Sequence, residues 1–229
     1  FGFFFTFSLV NRAVGFFRGT PQTCGMRTNI LSWFLMMAVL SVEAASSTVV
    51  DLHSLPAEKK TPPANDWLIA APSQRAGVFR SENGKEIVLN NGLLRRAWRL
   101  SPNAATVAFD NLMADEPVIR AVKPEATVTI DGRLISVGGL AKQPDTGFLR
   151  QEWLDSMPSR TNALMFVGYE IGPVQERFPW KRKRYASDVA WPPPGVKLSL
   201  HFREPAGGVE TNAPKGVVVS VHYELYDGI

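Results

Sequence analysis

From about residue 84 onward the chain alternates apolar and polar side chains with a period of two. Leu94, Arg96, Trp98 and Leu100 fall on one side of a strand, and Leu93, Arg95, Ala97 and Arg99 on the other. Ala105, Val107 and Phe109 alternate with Thr106, Ala108 and Asp110. Val196, Leu198, Leu200 and Phe202 alternate with Lys197, Ser199, His201 and Arg203, and Val217, Val219, Val221, Tyr223 and Leu225 share one face. Further strands are expected at Glu86–Leu89, Ala126–Ile130, Leu134–Val137 and Leu164–Ile171. The turns between them carry Asn90-Asn91-Gly92, Ser101-Pro102-Asn103 and Asp131-Gly132, residue types that tolerate or enforce tight backbone reversals. About eight short strands with polar turns and no long 3.6-residue period predict an all-β, antiparallel β-sandwich. Val107, Phe109, Leu198, Leu200, Val219, Val221 and Tyr223 are expected to point inward, with Trp98 in the core. The one helix signal is weak and covers Leu149–Met157.

The two ends depart from this pattern. Met26, Arg27 and the apolar run Ile30–Val42 have the form of a secretory signal. The run of about 13 residues is shorter than the roughly 20 that a spanning helix needs, so no stable membrane anchor is expected. The expected organisation is a non-native upstream segment over 1–25, a signal peptide over 26–44 and a Pro/Ser-rich linker over 45–80. An incomplete β-sandwich domain then covers 81–229. Tyr226-Asp227-Gly228 reads as a hairpin turn whose partner strand would begin at Ile229, so truncation at the C-terminal side is expected. Export makes the expected location secreted or periplasmic.

Composition narrows the function. The chain of 229 residues has 25 basic and 21 acidic side chains. Without residues 1–45, which hold Arg12, Arg18, Arg27 and Glu43, 22 basic and 20 acidic groups remain. That near-neutral balance argues against a domain built to neutralise phosphates, so no nucleic-acid partner is expected. Cys24 stands alone, which excludes an internal disulfide framework and a cysteine-built zinc site. His53, His201 and His222 are too few for a histidine metal cluster, so neither metal nor cofactor is expected. His201 and His222 lie opposite the apolar faces of their strands and are neighbours if those strands pair. Among the carboxylates, Asp115 and Glu116 read as turn acids, and Glu152 and Asp155 as exposed acids of the short helix.

The segment 172–195 breaks the strand pattern with five prolines and four aromatics, Phe178, Trp180, Tyr185 and Trp191. A loop longer than about 15 residues in a compact domain is usually functional or disordered, and the aromatics weigh against disorder. Lys181–Arg184 is a run of four cations set between Trp180 and Tyr185. Flat aromatic faces suit the C–H faces of sugar rings, and cations donate to hydroxyls or acidic groups. The carbohydrate-binding candidates are therefore Trp180, Tyr185, Trp191, Lys181 and Arg184. The competing expectation is that these aromatics cap the sandwich and the cations form a solvated loop.

Four stretches carry a family resemblance: Asn91–Leu112, Ile119–Ala126, Phe178-Pro-Trp-Lys181 and His222-Tyr-Glu-Leu-Tyr-Asp-Gly-Ile229. Together they resemble the N-terminal β-supersandwich of secreted α-galactosidase-like proteins related to glycoside hydrolase family 36. In that family a large antiparallel β-domain precedes a (β/α)8 barrel that holds the catalytic aspartates. The resemblance implies a non-catalytic β-domain that supports and partly walls such a barrel, with 172–195 as the wall. No catalytic residue carries over, and this stretch of chain is expected to be inactive alone. The partners implied are a C-terminal catalytic domain and carbohydrate. A stand-alone carbohydrate-binding or adhesion module is the alternative.

Overall fold

The computed structural model describes residues 4–11, 51–59, 69, 73–176, 179, 191–205 and 215–228. Two sheets stack face to face. The second half of the chain forms β7 (Ala126–Ile130), β8 (Arg133–Val137), β9 (Ala163–Pro173), β10 (Gly195–Arg203) and β11 (Val217–Tyr226). With β1 (Phe4–Asn11) they make a six-stranded sheet in the order β1-β11-β10-β9-β8-β7. The middle of the chain folds as a five-stranded meander, β2 (Gly77–Arg80), β3 (Glu86–Asn90), β4 (Leu94–Arg99), β5 (Ala105–Asn111) and β6 (Glu116–Pro117). This is the expected all-β sandwich, and all eight strands read from the alternation form. Every described pairing between these strands is antiparallel except β8 with β9.

That parallel pair has a consequence for the whole molecule. Two parallel neighbours cannot be joined by a tight turn, so the chain must cross over between them. The crossover, residues 138–162, runs out over the far face of the five-stranded sheet. Its Leu140, Leu154 and Met157 bury against Val88, Ala97, Ala105 and Val107 there, helped by Val122. The crossover starts at Gly138 and Gly139, with φ of +64° and +99°. A Cβ on Gly138 would lie 2.3 Å from the Ala104 carbonyl oxygen, so only glycine fits that approach.

The five-stranded sheet is thus covered on both faces. Between the sheets, Ile87, Leu89 and Trp98 meet Leu198, Leu200, Phe202, Val219, Val221 and Tyr223, all fully buried. On the far face lies the second cluster. Every residue of β3 is buried, including Glu86 and Asn90 at its ends.

Two sequence expectations are corrected. Strict alternation puts Val107 and Phe109 on one inward face. Ala97 pairs with Ala108 and Trp98 with Thr106, which leaves Val107 as an extra residue in β5. This β-bulge reverses the alternation locally. Val107 packs in the far-face cluster, while Phe109 is half-buried beside the Arg96 guanidinium on the inner side. The second correction concerns Leu149–Met157, which holds a 3-10 turn at Gln151–Trp153 and no α-helix. Leu154 and Met157 are held by the far-face cluster, and so short a stretch has little helical stability of its own.

Residues 51–58 lie against the edge of the five-stranded sheet. Asp51 caps a 3-10 turn at Leu52–Ser54. Residues 55–58 then run beside β2: Glu58 N–H donates to the Arg80 carbonyl, and Arg80 N–H to that of Pro56, both at 2.9 Å. β2 itself begins at Gly77.

Candidate functional site: a charged cleft on the far face of the five-stranded sheet

Strand β4 carries Arg95, Arg96 and Arg99 within six residues. Arg96 points between the sheets. Arg95 and Arg99 point to the far face, flanking Ala97, and each meets a buried carboxylate. Arg95 Nε donates to Glu58 Oε1 at 2.7 Å, and its Nη1 reaches Asp110 Oδ2 at 2.8 Å. Burial pulls the Arg95 pKa down, but Glu58 and Asp110 together outweigh it and the net shift is upward. Arg99 lies 2.8 Å from Glu86 Oε1 and 2.6 Å from Asp155 Oδ1. The side chains of Glu58 and Glu86 are only 3% and 4% exposed. Carboxylates so deeply placed need partners, and each has an arginine.

The remaining oxygens are partly spoken for. Glu86 accepts from the Ser81 hydroxyl and from Gln151 Nε2, and Glu58 Oε1 also accepts from Asn90 Nδ2 at 2.9 Å. Glu58 Oε2 accepts no hydrogen bond among the described residues. Asn83 Oδ1 takes bonds from the Ser81 hydroxyl and the Lys85 N–H, which locks the β2–β3 turn.

These groups enclose a cavity of about 370 Å³, within the usual range of small-molecule sites, about 300–1,000 Å³. Ala97, Val107 and Ala108 supply an apolar patch. Glu58, Glu86 and Arg95 supply fixed polar groups, and Glu82, Asn83 and Gln151 form the exposed rim. Three acids against one base line the cavity, so its field favours neutral or cationic ligands over anions.

A second cavity of about 430 Å³ adjoins it, lined by Leu52, Leu100, Pro102 and Leu154 with Lys85, Arg99 and Asp155. Lys85 Nζ sits 2.8 Å from Asp155, and both side chains are half exposed, at 50% and 59%. Hydrogen bonds from Lys85 and Arg99 hold the Asp155 pKa below its ordinary value.

Of the residues singled out from sequence, Trp180, Lys181, Arg184 and Tyr185 lie outside the described residues. Trp191 is 40% exposed and sits just ahead of β10, after which comes the cis Trp191–Pro192 bond. It does not line either cavity. Asp115 is exposed at a turn with φ of +52°. Glu152 is exposed and 3.6 Å from Arg150. Asp155 is exposed too, yet it is tied to two cations. His201 and His222 are brought onto one face by the β10–β11 register, His201 opposite Ser220 and His222 opposite Ser199. Each ring Nδ1 is within 2.8 Å of the facing serine hydroxyl. Among the described residues no group of three or more His, Cys, Asp and Glu side chains could hold a metal ion. No described helix is long and apolar enough to cross a membrane.

The cleft residues were not singled out by motif. One signal was present: charged residues on both faces of a strand bounded by core positions require buried partners. Arg95 and Arg99 meet that description, but the partners come from segments far away in sequence.

The fold and cleft define the class: an all-β sandwich carrying a polar cavity on one doubly covered sheet. Comparison with known proteins finds no matching family model, no matching curated protein and no matching solved structure.

Proposed function

We propose that the chain is a non-catalytic β-sandwich domain of a secreted glycoside hydrolase and that the cleft binds neutral carbohydrate. The observation that carries the binding reading is the charge arrangement in the cleft. Glu58 and Glu86 are held by their arginines, so they present acceptors in fixed positions, in a cavity whose acidic lining disfavours anionic ligands. Glu58 Oε2 is an acceptor for a ligand hydroxyl, the rim amides of Asn83 and Gln151 supply donors and acceptors, and Ala97, Val107 and Ala108 suit an apolar C–H face. Preorganised polar groups around an apolar patch cost little ordering on binding.

The setting within a larger exported enzyme rests on the family resemblance of residues 91–126, 178–181 and 222–229. In that setting the 172–195 segment, with Trp180, Lys181, Arg184, Tyr185 and Trp191, walls a barrel supplied by a C-terminal catalytic domain.

The test is an amide-resolved NMR titration of the 229-residue chain with neutral, uronic and sulfated oligosaccharides. Shifts at Asn83 and Gln151 on adding neutral sugars, weakened by Gln151→Ala, are the expected result. No shift with any neutral sugar overturns the binding reading. Turnover of aryl α-galactosides by this chain alone overturns the non-catalytic one.

A further inference from the structure

The same two segments contribute to both cavities, through different residues. The β2–β3 turn gives Ser81, Glu82 and Asn83 to the first and Gly84 and Lys85 to the second. The crossover gives Gln151 to the first and Leu154 and Asp155 to the second. A single ionic chain runs along the boundary: Glu86 to Arg99 to Asp155 to Lys85. Glu86 lines one cavity and the other three residues line the other.

We propose that the two cavities are adjoining subsites of one groove that takes a chain of at least two neutral sugar residues. This rests on the carbohydrate reading above and specifies its ligand as an oligosaccharide. The second subsite, like the first, sets an apolar floor beside fixed charged groups. Leu52, Leu100, Pro102 and Leu154 offer the floor, and Lys85 and Arg99, both paired with Asp155, offer the polar contacts. Lys85 is the polar group best placed to serve it. Its ammonium has three protons, Asp155 takes hydrogen bonds from it at 2.8 Å, and half its side chain is open to solvent. The ammonium therefore keeps donor capacity for a ring or hydroxyl oxygen in the second subsite. Lys85 and Asp155 also join the β2–β3 turn to the crossover.

The test uses the 229-residue chain and calorimetric or NMR titration with α-linked galactose, glucose and mannose series, each as mono-, di- and tetrasaccharide. For the series that binds, the disaccharide is expected to bind about tenfold tighter than the monosaccharide or better, since the second ring adds contacts without a second association cost. Lys85→Ala is expected to shrink that ratio toward one. Ser101→Tyr, at an exposed position lining the second cavity, is expected to do the same by filling it. Native-like circular dichroism for both variants excludes unfolding as the cause. Equal affinity for mono- and disaccharide, with shifts at Asn83 and Gln151 alone, overturns the two-subsite inference and leaves the carbohydrate reading standing. Absence of any sugar binding overturns both.

Discussion

Glu125 Oε2 accepts a hydrogen bond from the indole Nε1 of Trp98 at 2.9 Å, and this contact joins the two sheets. Trp98 lies on β4 of one sheet, and Glu125 immediately precedes β7 of the other. The same carboxylate accepts from the Tyr223 hydroxyl on β11 and from the N–H and hydroxyl of Thr106 on β5. It also pairs with Arg96 at 3.2 Å. The Arg96 guanidinium in turn lies 5.0 Å from the Trp98 ring centre and 4.7 Å from that of Tyr223. A charge is tolerated inside the sandwich because it is saturated with donors and roofed by aromatic faces.

Removing that carboxylate should be expensive. Glu125→Ala withdraws the acceptor from Trp98, Thr106 and Tyr223 and takes this counter-charge from Arg96. The expected loss is about 3–5 kcal/mol, read by urea unfolding. Trp98→Phe, which keeps a ring but loses the indole donor, should cost about 1–3 kcal/mol. Trp98→Ala should cost about 3–5 kcal/mol. An unchanged midpoint in Glu125→Ala would show that the network is not a stabilising element.

Tyr223 should not ionise with ordinary tyrosines. Burial, reinforced by the Glu125 charge, pushes its pKa well above 10.0, against the opposing pull of Arg96. The unfolded chain loses this proton near pH 10 while the folded chain keeps it. Its contribution to stability is therefore full below pH 10 and declines as pH rises from there toward the folded value. In a 295 nm titration one tyrosine should stay silent until the protein unfolds. Tyr223→Phe should remove this part of the alkaline loss of stability, and an alkaline profile identical to wild type would contradict the assignment.

Asp155 has the opposite sign. Lys85 and Arg99 hold its pKa below 3.8. The folded chain therefore keeps it ionised at pH values where the unfolded chain has begun to protonate it. The stability it provides is present above about pH 4 and lost as pH falls through its lowered folded value. Asp155→Asn should be less stable than wild type at neutral pH. The gap should close only in strong acid, and a gap independent of pH would mean that the two ion pairs contribute nothing.

Leu154 and Leu134 are a matched pair for testing the crossover. Leu154 is almost fully buried on the far face of the five-stranded sheet, whereas Leu134 on β8 is exposed. Leu154→Ala should destabilise by about 2–5 kcal/mol. Leu134→Ala should stay within about 0.5 kcal/mol of wild type. Equal small effects would mean that the crossover does not seal the sheet.

Much of this was written locally. The pleat alternates side chains residue by residue, so period-two runs located β3, β4, β5, β7, β8, β9, β10 and β11 from sequence. The same logic placed Trp98, Leu198, Leu200, Val219, Val221 and Tyr223 in the interior, where they are fully buried. It also placed His201 and His222 together on the opposite face. Asn-Gly and Asp-Gly pairs marked their turns because their backbone needs are local as well.

What the alternation could not carry was which strands meet and in what register. The bulge at Val107 exists only because β4 and β5 pair with one residue out of step, and that single offset moved Val107 to the far face. The ion pairs of the cleft join Arg95 to Glu58 across 37 positions and Arg99 to Asp155 across 56. Neither separation leaves a mark on a local pattern. Both arise because the parallel β8–β9 pairing sends a crossover over the five-stranded sheet, while residues 55–58 line its edge. Away from the bulge, side-chain direction along a strand is set by the backbone of neighbouring residues, so the sequence determined it. Burial of charge in pairs is set by the meeting of distant segments, so only the tertiary structure decided it.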